Sequence, residues 1–409
     1  MSHVVIVGGG AAGLLAAGTA LQLGKKVTVV EKNARPARKV MITGKGRCNV
    51  TNACSTQELL ESVVTNPRFL YSAFNRFSSY DLIDLFENHL KIPLKTERGN
   101  RVFPVSDKAV DIVDGLVNYA KGAQFYCNSV CKEVLVEENR VVGIKLQDDT
   151  IIEATSVIVA TGGQSYPTTG STGDGYRLAE KLGHTVTGIL PSLVPLTCHT
   201  TDCRDLMGLS LKNVTLTVTD KRSERSVYSE LGEMLFTHFG LSGPLVLSAS
   251  AHMKPMEPER YVASIDLKPG LTLAQLDARI LRDFQENIHR TLRNALNKLL
   301  PTKLIPVMIK RVKISPDCKV NQITKEQRLL LAQTMKNFQF SIHDFRHIDE
   351  AIVTCGGVCV KEVNPQTMES KLVKGLYFAG EVLDVDAYTG GFNLQIAFST
   401  GYLAGCYAE

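Results

Sequence analysis

The sequence predicts an α/β protein in which a parallel-sheet domain is interrupted by an antiparallel, barrel-like β domain that itself carries a helical insert. Three observations predict it. An apolar, β-rich run near the N-terminus passes through glycines into a helix and a second strand. After Pro191 the pattern turns to apolar–polar alternation, as in Leu211-Lys212-Asn213-Val214-Thr215-Leu216, which is the period of a half-buried strand. From Thr272 apolar residues recur at helical spacing (Leu273, Leu276, Ile280, Phe284), and strand-like residues return at about Lys336. The expected boundaries are 1–190 with 346–409 for the first domain, 191–268 with 336–345 for the β domain, and 269–335 for the insert. A chain of 409 residues suits two or three domains.

Composition narrows the class. With 44% hydrophobic and 21% charged residues the chain can bury a large core, which excludes disorder, collagen and coiled coil as descriptions of the whole. No run of 18 apolar residues is present, so no membrane-spanning helix is expected. Met1 leads directly into His3-Val4-Val5-Ile6-Val7 without the basic start and cleavable apolar run of a signal peptide. The ten cysteines include no C-x-x-C pair, and Cys127/Cys131 and Cys355/Cys359 lack zinc-ligand spacing. Reduced thiols, a cytoplasmic setting and no metal follow as expectations. A net charge of +5 over this length does not point to nucleic acid by itself.

Residues 3–7 read as a buried parallel strand. The turn Gly8-Gly9-Gly10-Ala11-Ala12-Gly13 follows at once, then a helix to Leu23, a second strand Lys26-Val27-Thr28-Val29-Val30, and Glu31. Gly8, Gly10 and Gly13 form a G-x-G-x-x-G in the strand–turn–helix context that gives this pattern meaning. Its glycines and the helix start at Ala11 and Ala12 let backbone N–H groups approach a pyrophosphate. Glu31 can accept from ribose hydroxyls and would repel a 2′-phosphate. A dinucleotide is expected here.

Beyond Glu31 and Lys32 the chain does not continue directly into βαβ units. It runs through Arg38, Lys39 and the loop Thr43-Gly44-Lys45-Gly46-Arg47-Cys48-Asn49, which can place N–H groups and cations around a phosphate or an electron-rich ring. A mid-chain strand ends in Thr161-Gly162-Gly163, and a late one ends in Gly380-Glu381. Leu59 to Leu90 reads as two helices, and Phe125 to Leu146 as a β-meander. Gly170 to Gly175 mimics the first fingerprint but follows Tyr166-Pro167, so it is read as a loop opening a helix from Asp174 to Leu182.

Together these features resemble the glutathione-reductase-like FAD fold. Three longer strings are similar to the YhiN/BaiN-type FAD-dependent oxidoreductases: 42–52, 232–244, and 381–386 with 389–395. Two departures from that pattern are Ala387, where Gly is usual, and Phe392, where Tyr is usual; the turn they share is expected to differ in shape. The resemblance implies FAD as cofactor. It adds the backbone of Val130 at the adenine, and Gly391, Phe392, Asn393 and Leu394 along the flavin. It also implies NAD(P)H-driven reduction of a conjugated C=C bond in an enone such as a 3-oxo bile-acid or steroid intermediate. A small molecule is then the expected substrate.

For proton transfer or enolate stabilisation, Tyr166, His238 and Tyr388 are candidates by placement, and Arg47 is expected to stabilise charge on the flavin. Cys48 beside Arg47 sits where a thiolate would be favoured, but a packed small residue is the preferred reading. Residues 279–313 hold nine Lys/Arg against two acids. That strip reads as a solvated face or as a lure for an anionic substrate, coenzyme or nucleic acid, although no RNP, KH or helix-turn-helix signature accompanies it. The alternatives are a flavoprotein that binds RNA or a protein through the basic insert, and a non-catalytic FAD sensor.

Overall fold

The computed structural model describes residues 2–409. These divide into two compact units: one runs to Ser192 and resumes from Ile348 to Glu409, and the other is Leu193–His347.

The first unit is built on a five-stranded parallel sheet in the order Leu376–Phe378, Ser156–Val159, His3–Val7, Lys26–Val30, Gln124–Tyr126. The inner strands are continuous apolar runs because both faces are covered; Val4, Val5, Ile6, Val157, Ile158 and Val159 are fully buried. The helix Ala11–Gln22 covers one face, and the helix Phe392–Tyr407, apolar around nearly its whole circumference, packs on it. The two backbones approach so closely that a Cβ on Gly401 would lie 2.4 Å from the carbonyl oxygen of Ala12.

Two sequence expectations are corrected in this unit. Residues 59–90 do not form two helices. They follow Thr56–Glu61 with a short strand, Val63–Thr65, and then the helices Tyr71–Arg76 and Ser79–Asp84. The interruptions have local causes: Ser55 and Ser78 each start a new helix with a capping box, and Pro67 opens a 3-10 turn between them. The strand around Phe125 does not belong to a meander either. It pairs with Lys26–Val30 at the edge of the parallel sheet, while Cys131–Glu137, Arg140–Leu146 and Ile151–Glu153 form a separate three-stranded sheet.

The second unit holds a seven-stranded antiparallel sheet with Phe338–Ser341 at one edge and Asp344–Phe345 at the other. Only Ile342 and His343 separate these edge strands in sequence. A link that short reaches about 10 Å, so the sheet must curl until its edges are neighbours. No ladder joins the edges among the described residues, so the sheet is not a hydrogen-bonded closed barrel. Helices Leu273–Gln285, Leu292–Ala295, Leu304–Val312 and Lys325–Lys336 come between its strands Tyr261–Asp266 and Phe338–Ser341. Thr272 and Thr324 begin the first and last with capping boxes to Gln275 and Gln327. Sheet and helices share one apolar core, including Phe236, Ile265, Ile280, Met308 and Phe340.

Candidate functional site

The turn after the first strand is specified by backbone contacts. Gly8 takes φ +105° and donates its N–H to Val30 at 2.8 Å. A Cβ on Gly13 would stand 1.9 Å from the Gly8 carbonyl oxygen, whereas one on Gly10 would meet nothing within 4 Å. Gly10 therefore fronts open space at the start of the helix, where the first-turn N–H groups of Ala11, Ala12 and Gly13 have no intrahelical acceptor. Glu31 is 7% exposed. Its Oε2 accepts the Gly9 N–H at 2.8 Å, and its Oε1 accepts the Asn33 backbone N–H at 2.8 Å and the Asn33 amide at 2.6 Å. Oε1 thus has two donors, and Oε2, with one, keeps acceptor capacity for a further donor. The Ser129 N–H, on the Glu31 carbonyl at 3.0 Å, brings Val130 to this strand end. A half-open cleft of about 240 Å³ lies beside Val130, lined also by Gln147, Asp174 and Arg177.

The cations after Glu31 find partners in the protein. Lys32 pairs with Asp174 at 2.6 Å, and Arg38 donates to Asn33 Oδ1 at 3.1 Å. Lys39 Nζ sits 2.8 Å from both Ser165 Oγ and Glu381 Oε2, and the Thr354 N–H donates to Glu381 Oε1 at 3.0 Å. Gly163 passes beneath this cluster; its Cβ would lie 2.0 Å from Thr354 Oγ1. Lys39, Gly163 and Glu381 are thus brought together, with Gly162 and Gly380 in left-handed turns beside them. Thr161 Oγ1 is buried without a partner.

The loop Thr43–Asn49 departs from expectation. Gly44, Lys45, Gly46 and Cys48 all take left-handed φ, and the Cys48 N–H closes the loop on the Thr43 carbonyl at 3.0 Å. Arg47 has partners within the protein. Its guanidinium bonds Glu97, donates through Nε to Asp107 at 2.8 Å, and stacks 4.2 Å over Phe103. Arg47 holds the Glu97 carboxyl below its usual range, and Lys95 with Arg47 does the same for Asp107. Cys48 is fully buried, and burial pushes its thiol up to about 11, so the thiolate-favouring environment expected beside Arg47 is absent. Asn49 keeps a buried Oδ1 without a partner.

At the C-terminal end, Gly391 caps the helix Phe392–Tyr407 with φ +99°, and Phe392, Asn393 and Leu394 are half-buried in its first turn. Asn393 brackets Ala387, accepting its N–H at 3.0 Å and donating to its carbonyl at 2.8 Å. Ala387 pairs as extended strand with Val63 and needs no positive φ, which is how this turn accepts a Cβ. Asp386 is completely buried; Ser192 donates to its Oδ2 at 2.6 Å, and its Oδ1 has no partner. Asn33, Ser165, Thr354 and Asp386 were not marked by sequence. Only Asn33, two residues after Glu31, carried a local signal, as a short amide able to turn back on the backbone.

Of the four candidates for chemistry, three belong to the first unit and one to the second. Arg47 is spent on two acids, and His238 is an exposed residue of the second unit, edge-on to Phe239 at 5.1 Å. Tyr166 and Tyr388 both belong to the first unit. Tyr166 has φ +53° next to Ser165, and burial followed by the Glu350 charge raises its phenol. The Tyr388 N–H donates to the Ser62 carbonyl at 3.0 Å.

An open glycine over free helical N–H groups, a buried carboxylate one strand away, and the orphaned Asn49 Oδ1 fit an extended dinucleotide. Fold and site define a Rossmann-type, FAD-binding class of protein. A family model described as HI0933-like protein Rossmann domain matches residues 2–407. The chain belongs to that family. It is 35% identical over 405 residues, 98% of its own length and 97% of the relative's, to a ribosomal RNA dihydrouridine synthase of Haemophilus influenzae. It is 28% identical over 409 residues, 99% and 98% of the two chains, to a 3-dehydro-bile acid delta(4,6)-reductase of Clostridium scindens. Among solved structures, a 3-ketosteroid-delta4-(5alpha)-dehydrogenase from Rhodococcus jostii superposes with a TM-score of 0.53 at 14% identity, covering all of this chain and 97% of that one, a likeness of fold alone.

Proposed function

We propose that this protein is a FAD-dependent oxidoreductase that saturates a C=C bond conjugated to a carbonyl, and that its substrate is a uracil ring in ribosomal RNA. The observation that carries the reading is the end-to-end similarity to the ribosomal RNA relative, on a chain whose Gly10 turn and Glu31 fit FAD. FAD bound there supplies two-electron hydride chemistry. Glu31 would hold the adenosine ribose, the first-turn N–H groups of Ala11 and Ala12 the pyrophosphate, and Asn49 with Gly391 to Leu394 the flavin end.

What the chain must add is a proton. Reducing the C5=C6 bond of uracil leaves C5, next to the C4 carbonyl, to be protonated. Tyr166 suits that task because it is half-buried next to Ser165 of the Lys39–Glu381 cluster and a phenol holds its proton at neutral pH. Tyr388 is the alternative donor, and His238 a third. NAD(P)H is the proposed electron donor. Without a second glycine fingerprint for it, donor and substrate would use the flavin in turn, with ping-pong kinetics.

The test is nucleoside mass spectrometry of ribosomal RNA from cells lacking the protein and from complemented cells. Dihydrouridine present only after complementation is expected; identical dihydrouridine in both would overturn the uracil reading. The second reading, reduction of a 3-oxo bile-acid enone, is favoured by the match to the Clostridium scindens relative. Loss of the enone ultraviolet band with NADH or NADPH, in a protein inert toward RNA, would select it.

A further inference from the structure

Residues 279 to 313 hold nine Lys/Arg against two acids, and the structure separates those with protein partners from those without. Arg279 pairs with Asp283 at 3.1 Å. Lys310 and Arg311 converge on Asp202 at 3.3 and 2.7 Å, and Arg311 also lies over the rings of Phe338 and Phe340. Lys298 reaches Glu286 at 3.5 Å, and Lys303 donates to the Met207 carbonyl. These five serve the fold.

Arg282, Arg290, Arg293 and Lys313 remain, all exposed, with no side-chain partner among the described residues. Two of them, Arg290 and Arg293, lie in a segment held by backbone pairing. Thr291 bridges Lys319; the Leu292 N–H donates to Cys318 at 2.8 Å, the Arg293 N–H to Pro316 at 3.3 Å, and the Val320 N–H to Arg290 at 3.1 Å. Segments 290–293 and 316–320 therefore lie side by side. They present Arg290, Arg293 and Lys319 on a fixed backbone, with exposed His289 next to Arg290 in sequence and Asp317 as the one acid in either segment. Cations fixed in this way, rather than dispersed along a mobile tail, suit a ligand with regularly repeated negative charge.

We infer that this paired surface, centred on Arg290, Arg293 and Lys319, is a docking site for the sugar–phosphate backbone of the RNA substrate. The inference rests on the uracil reading above and extends it from the ring to the chain that carries the ring. Charge complementarity selects the occupant. RNA presents a phosphate at every nucleotide, and each neutralised phosphate releases counterions, which makes affinity fall steeply with salt.

The experiment compares wild-type holoenzyme, an Arg290→Glu/Arg293→Glu variant, and a control with the same change of charge, Lys212→Glu/Arg225→Glu, at two other exposed cations of this unit. A fluorescein-labelled structured RNA with an unpaired uridine is titrated by anisotropy from 50 to 200 mM salt. The patch variant is expected to bind about tenfold or more weakly, with its log–log salt slope shallower by about 0.7 per lost phosphate contact. The control should stay near wild type, and flavin content and thermal melting should match in all three. Equal RNA affinity and slope in wild type and patch variant would overturn the inference, as would equal losses in patch variant and control. Binding of wild type to phosphatidylglycerol vesicles but not to RNA would also overturn it. The two readings fail separately: wild type that binds RNA through the patch but forms no dihydrouridine refutes the uracil reading, whereas dihydrouridine formation with unchanged binding by the patch variant refutes the docking site.

Discussion

Two glycine-rich turns of the first unit, residues 8–13 and 43–49, look equally suited to a cofactor in sequence and differ in what the fold does with their charges. At the first, the buried Glu31 carboxylate is oriented by Gly9 and Asn33, its neighbours across the turn and in sequence, and Gly10 stays open. At the second, the Arg47 guanidinium turns away to Glu97 and Asp107, and Cys48 is sealed in the core. The difference lies in the range of the interactions. A turn whose charged group is satisfied by local partners keeps its geometry for a ligand; a long cation is captured by whichever acids the distant chain brings near.

The largest effect should come from breaking the first turn. Gly13→Ala forces a Cβ onto the Gly8 carbonyl oxygen, a clash with backbone that cannot rotate away. Overpacking of this kind costs about 1–3 kcal/mol or more. Protein purified without flavin and with a lowered Tm is expected; normal flavin content and Tm would mean the turn tolerates what the geometry forbids.

A smaller effect should follow from Glu31→Gln. The amide can no longer accept from Gly9 and Asn33 at both ends, and bonds to a charged acceptor are worth about 1.5–3 kcal/mol each. FAD affinity, read by flavin fluorescence on dilution, should fall by about 10- to 100-fold while the chain remains folded. Unchanged affinity would argue against a ribose contact.

The smallest effect on cofactor belongs to Arg47→Ala. Flavin content and potential should match wild type, and the loss should appear in stability alone. Glu97 and Asp107 have depressed carboxyl values in the folded state, so the stabilisation from their pairing is complete above the ordinary carboxylate range and disappears as pH falls through the depressed values. The Tm gap between wild type and variant should therefore be present at pH 7 and close in strong acid. A shifted flavin potential would instead return Arg47 to the cofactor.

The same distinction of range explains how much the sequence revealed. Strands 3–7 and 26–30 and the turn between them were legible because period, glycine spacing and Glu31 all act within 30 residues. The edge strand Gln124–Tyr126 was misassigned because its three residues carry no pattern of their own; pairing with Lys26–Val30 makes them strand. The fate of Arg47 depends on acids 50 and 60 residues away. Thr354 and Ser165 meet Lys39 and Glu381 only through folding, and nothing near Asp386 in sequence announces that Ser192 will bind it.

The close seating of helix Phe392–Tyr407 on helix Ala11–Gln22 has a consequence for biosynthesis. The opening strand, turn and helix leave the ribosome first, yet the parallel strand Leu376–Phe378 and the helix that covers them are made almost a full chain length later. At about 5–20 residues per second, the interval is roughly 20–80 s. For that time the helix Ala11–Gln22 lacks the partner that packs on its outer side, and the nascent sheet lacks its strand Leu376–Phe378. Residues 193–347, with their own core, can fold within the interval. Maturation of the dinucleotide site is thus a late event, completed only when the last strand and helix of the chain have been made.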